Sequence, residues 1–219
     1  MNSPLPPDVA EARIRVGEAI RSLGHAVVGH HMSATDLDAL AGLLTAQAAA
    51  VRTGEQRVRS LERPSGDWGP APADGEEMFS FDERPISGRA APYGLDVHIV
   101  RDGDEVVGHL TLDSAHEGAP GRSHGGIVSA LFDDVYGFIL TILGQPGFTG
   151  TLTIRYEQGV PIHQPLECRV RLDRRDGRKL LMSGELTGLD ALGNSTVFTR
   201  STAIFIAIDE SAFGASARP

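Results

Sequence analysis

One cysteine, Cys168, stands in a chain of 219 residues, so no disulfide can close within it. Metal-ligand clusters are lacking too. His30 and His31 are adjacent, but no second pair and no Cys cluster supplies the rest of a coordination shell, so no metal is expected. Basic residues do not outnumber acidic ones: the formal net charge is -9 and the isoelectric point lies near 5.3, which disfavours a sequence-independent grip on nucleic acid. Residues 1–63 hold seven Arg and seven Asp or Glu without a basic helix, so a DNA-binding module there is disfavoured as well. Nowhere do eighteen apolar residues run uninterrupted, and no membrane span is expected. The first thirty residues lack the basic-then-apolar pattern of a signal peptide, which makes a cytoplasmic protein the expectation.

What is present suits one domain with an extension. Val9, Ala12, Val16, Ile20 and Leu23 fall at helical spacing after Pro6-Pro7, and predict a helix from Asp8 to Leu23. Ser33 or Thr35 can cap a second helix, in which Leu37, Leu40, Leu44, Ala48, Val51 and Val58 keep one face to about Leu61. From Arg63 to about Gly75 the chain turns to Pro, Gly, Ala and Asp around Trp68, as a linker would. The boundary is placed there, with an extension over residues 1–75 and a domain over 76–219. The extension holds no candidate site residue and is expected to be dispensable for chemistry.

In the domain, Leu95–Val100 and Val106–Leu112 alternate on either side of Asp102-Gly103, which predicts a hairpin. Later runs at Leu152–Tyr156, Leu166–Leu172, Leu180–Leu189 and Thr196–Ile208 alternate in the same way and bring the strands to six. Between the two groups lies Gly121–Leu140, read as a helix entered through His124-Gly125-Gly126. Ile127, Leu131, Val135 and Ile139 form one row of it, with Val128, Phe132 and Leu140 on the next, so most of its surface is apolar and must be covered. A hairpin, a long apolar helix and a meander of strands make an α+β layout in which an antiparallel sheet wraps the helix. That helix carries Asp133 and Asp134. A carboxylate withdrawn from water must be paired, hydrogen-bonded or protonated, so at least one is expected to serve chemistry.

His124-Gly125-Gly126, an acid nine residues after the histidine and then Gly137 together resemble the signature of hotdog-fold acyl-CoA thioesterases of the PaaI and THEM type. Thr149-Gly-Thr-Leu-Thr-Ile-Arg-Tyr156 is similar to the strand after the helix in THEM-type enzymes, and Asp176-Gly-Arg-Lys179 to their Gly-Arg-Lys hairpin. The resemblance covers roughly residues 79–208 and implies a hotdog fold, hydrolysis of an acyl-CoA thioester and no cofactor beyond the CoA of the substrate. It assigns Asp133 as general base or nucleophile, and Thr149 as the hydroxyl that positions water. His124 either binds the acyl carbonyl or fixes the turn. The Gly125 N–H, at the helix start, is the expected oxyanion donor, since first-turn amides are unpaired and carry the positive end of the helix dipole. Arg178 and Lys179 are expected to meet the phosphates of coenzyme A. The pattern departs from the family at Gly118, where some relatives place a side-chain amide.

Gly125 and Asp133 are eight residues apart, about 12 Å along a helix, too far to flank one carbonyl carbon. If both act on one thioester they come from different subunits, so the active unit is at least a homodimer, with a dimer of dimers as the larger alternative. A hydratase is disfavoured because the Asp-x4-His pattern of hydratases is absent around the helix. The alternative from another class is a non-catalytic acyl-CoA sensor.

Overall fold

The computed structural model describes residues 5–57 and 70–209. Most of the Arg63–Gly75 linker, with Trp68, lies outside them. Helix α1 (Pro7–Gly29) starts with proline in its first turn and runs past Leu23 to His30, whose extended backbone ends it. In α2 (Ala34–Arg52) the cap is Ser33, whose hydroxyl accepts the Asp36 N–H at 3.2 Å. The expected extension to Leu61 is not found: Thr53 and Gly54 turn back on the Ala50 and Val51 carbonyls, both at 3.2 Å, and close the helix, while residues 58–61 lie outside the described residues.

Strands β1 (His98–Asp102) and β2 (Glu105–Thr111) form the expected hairpin. A short 3-10 turn (Ser114–His116) then leads to α3 (Gly125–Leu143), followed by β3 (Gly147–Tyr156), β4 (Pro165–Asp176), β5 (Lys179–Leu189) and β6 (Ser195–Ala207). All six strands make one antiparallel sheet in the order β1-β2-β4-β5-β6-β3. The meander expected after the helix is therefore only β4-β5-β6. Three residues separate α3 from β3, and the Ile208 N–H donates to the Pro146 carbonyl at 3.0 Å, so β3 stays on the helix flank beside β6. This leaves β3 as an edge strand, ten residues long.

The concave face of the sheet closes on α3. Leu131, Phe132, Val135, Tyr136 and Ile139 of α3 pack among Val106, Cys168, Val170, Leu180, Met182, Leu186 and Phe205 in one core. Helix α3 is long and apolar enough to cross a bilayer, but about half of it is buried within the protein, as suits a core helix packed against a sheet. By contrast α2 buries no residue at all.

Candidate active site

The apolar rows of α3 turn towards the sheet and leave a small, polar row, Gly125, Ser129 and Asp133, spaced by four residues on the flank beside β3. His124 caps the helix: its Nδ1 accepts the Gly126 N–H at 3.0 Å, so the neutral ring carries its proton on Nε2. This contact fixes the turn and leaves Nε2 for the acyl carbonyl, so it is compatible with both readings of His124. With Gly126 paired to the cap, the Gly125 N–H has no acceptor among the described residues. It lies at the positive end of a nineteen-residue helix.

Two turns along, Asp133 is exposed, and its Oδ1 accepts the Thr149 hydroxyl at 2.7 Å. A register shift between Thr149 and Thr151 accompanies this contact, a bulge of the kind that re-aims a side chain from an edge strand. Asp133 Oδ2 accepts nothing among the described residues. At the other end of β3 the Tyr156 hydroxyl donates to the Gly125 carbonyl at 2.7 Å and lies 2.9 Å from Ser129 Oγ. A Cβ on Gly125 would stand 3.0 Å from that hydroxyl, so a proline there is not the mild change that its first-turn position suggests.

Asp134 points the other way. It is buried, pairs with the Arg84 guanidinium at 2.7 Å, and its own carbonyl accepts from the same guanidinium at 2.7 Å. The guanidinium lies over the Phe138 ring, 4.5 Å from its centre. Gly137 is what admits it, since a Cβ there would come within 2.4 Å of an Arg84 nitrogen. Gly118 has a similar reason: a Cβ would stand 2.8 Å from His124 Cα, so the departure from the family pattern lets the loop fold onto the cap.

No protein-family model matches the chain. It is 31% identical to human acyl-coenzyme A thioesterase THEM5 over 90 residues, 41% of this chain and 35% of that protein. Over 93 residues it is 30% identical to mouse acyl-coenzyme A thioesterase THEM4, covering 42% of this chain and 39% of that one. The match thus spans little more than a third of these curated relatives. A crystal structure of a thioesterase superfamily protein superposes with a TM-score of 0.71 at 26% identity, covering 89% of this chain and 94% of the other. The chain has the hotdog fold of the thioesterase superfamily and is similar to THEM-type thioesterases over part of its length. Residues 76–219 are two thirds of the sequence, so the likeness to this superfamily structure reaches into the N-terminal helices.

In this hotdog-fold chain, Asp133 and Thr149 are brought together, and Gly125 is held apart from both within one subunit. Arg178 and Lys179 lie at the β4–β5 turn. The Arg178 guanidinium donates to the Ala207 carbonyl at 3.1 Å. Lys179 is exposed and stands opposite Ile206, itself opposite Phe148, which puts it roughly 10 Å from the Thr149 end of β3 by strand spacing. Sequence reasoning missed Ser129, Tyr156 and Arg84. The i, i+4, i+8 spacing of Gly125, Ser129 and Asp133 is a signal that would have found Ser129.

Proposed function

We propose that the protein hydrolyses an acyl-CoA thioester to free acid and CoA, at two sites shared across a homodimer. The observation that carries this reading is the division of labour along one helix flank. A hydroxyl-held carboxylate with one open oxygen sits two turns from a free N–H at the helix start. The THEM relatives are named as acyl-coenzyme A thioesterases, which supports the same substrate class.

Asp133 takes a proton from a water that the Thr149 hydroxyl helps to place, and the water oxygen attacks the thioester carbonyl carbon. The carbonyl oxygen becomes negative against the Gly125 N–H of the partner subunit, where the helix dipole adds to the donor. Collapse of the tetrahedral species breaks the C–S bond, and the proton held by Asp133 goes to the departing thiolate. The open edge of β3 and the exposed side chains of Phe148 and Tyr156 on it suit pairing with a second copy. Arg178 and Lys179 are read as contacts for the phosphates of CoA, reached along β6.

A panel of acyl-CoAs of graded chain length, followed by release of free thiol, tests the proposal. Hydrolysis of at least one member is expected. Turnover of none would overturn the enzyme and favour the sensor.

A further inference from the structure

The N-terminal helix reaches the loop that enters the site. Arg21 of α1 is buried and donates to the carbonyls of Arg89 and Ala91 at 2.9 and 2.6 Å, and it pairs with Asp96. One turn on, His25 Nδ1 accepts the Ala115 N–H at 3.1 Å, and its ring meets that of His116 edge-on with centres 4.7 Å apart. His116 is buried, and its Nδ1 accepts the Asp113 N–H at 3.0 Å. The His116 carbonyl in turn accepts the His124 N–H at 2.8 Å, and His124 caps α3. An unbroken series of contacts thus runs from α1 through residues 113–116 to the amides of Gly125 and Gly126.

We infer that His25 is a positioning residue for the site: by holding the 3-10 turn it fixes the His124 cap and the direction of the Gly125 N–H. This rests on the reading of Gly125 as oxyanion donor. His116 packs against His25, and Asp113 lies near, itself paired with His163 Nδ1 at 3.2 Å on its far side, while Asp96 is engaged by Arg21. Arg21 keeps α1 docked when His25 alone is changed.

Two variants of the full-length protein separate this role from simple support. His25→Ala removes the acceptor, whereas His25→Asn retains an oxygen where Nδ1 stood. For His25→Ala, a fall of about 10- to 100-fold in kcat with little change in KM is expected from sub-ångström misplacement of the donor. His25→Asn should restore most of kcat. Hydrogen–deuterium exchange over residues 113–126 should speed up in His25→Ala and return to the wild-type rate in His25→Asn. Unchanged exchange in His25→Ala would overturn the clamp, and faster exchange with unchanged kcat would overturn its positioning role. Exchange is read without substrate. A wild-type protein inactive on every acyl-CoA would therefore sink the site reading while the clamp was still decided.

Discussion

Replacing Arg84 with Met should destabilise the protein while sparing the proposed base one residue away from its partner. Arg84 and Asp134 side chains are 16% and 9% exposed, so the pair is largely out of water, and Asp134 Oδ2 has no partner of its own among the described residues. Removing the guanidinium leaves that carboxylate uncompensated and also strips the Asp134 carbonyl of its extra donor. Breaking a buried pair from one side costs about 3–5 kcal/mol. For a chain of this size each kcal/mol is worth roughly 2–4 °C, so a melting temperature lower by about 6–20 °C is expected in differential scanning calorimetry. The double variant Arg84→Met, Asp134→Leu should recover a large part of the loss, because two apolar side chains need no solvation. An Arg84→Met protein melting within a degree or two of wild type would refute the reading of this pair as the buried anchor of α3.

Three other outcomes follow from the same geometry. If Gly125 of one subunit faces Asp133 of the other on antiparallel helices, Ser129 lies at the two-fold axis, so Ser129→Cys should form an intersubunit disulfide under mild oxidant on a non-reducing gel; Cys168 is buried, and absence of a crosslinked dimer would count against this axis. Burial, with His25 adding to it, pushes the His116 imidazole down to about 4, so the unfolded chain binds this proton more readily than the folded one. Stability should therefore fall as pH drops from about 6.5 towards 4, by roughly 3 kcal/mol at full effect, and His116→Leu should flatten that part of the urea-unfolding profile. Arg178→Ala with Lys179→Ala should raise KM far more for an acyl-CoA than for a short thioester without the nucleotide; an equal rise for both would refute a phosphate contact.

The central helix was legible because its apolar rows recur at a period that only a helix satisfies, and the six strands because they alternate. Where β3 sits was not legible: alternation marks a strand but says nothing of its neighbour, and the short link from α3 decides it. Asp133 and Thr149 were singled out only through the resemblance, since adjacent aspartates are equivalent in sequence. They separate once Arg84, fifty residues earlier in an irregular loop, selects Asp134 and leaves Asp133 to Thr149. Gly137 carried a readable mark without its cause, which is the approach of that same arginine. The extension looked dispensable because none of its residues matched a motif, yet His25 and Arg21 tie it to the loop that enters the site.

The central claim is that Asp133 activates water for thioester hydrolysis, and turnover by Asp133→Asn on the acyl-CoA that the wild type hydrolyses best tests it most directly. Asp133 is exposed and among the described residues holds only the Thr149 hydroxyl, which an amide oxygen can also accept, so the melting temperature should hardly move. Loss of the base should lower kcat by about 10²- to 10⁴-fold. A folded Asp133→Asn protein that turns over at the wild-type rate would contradict the account.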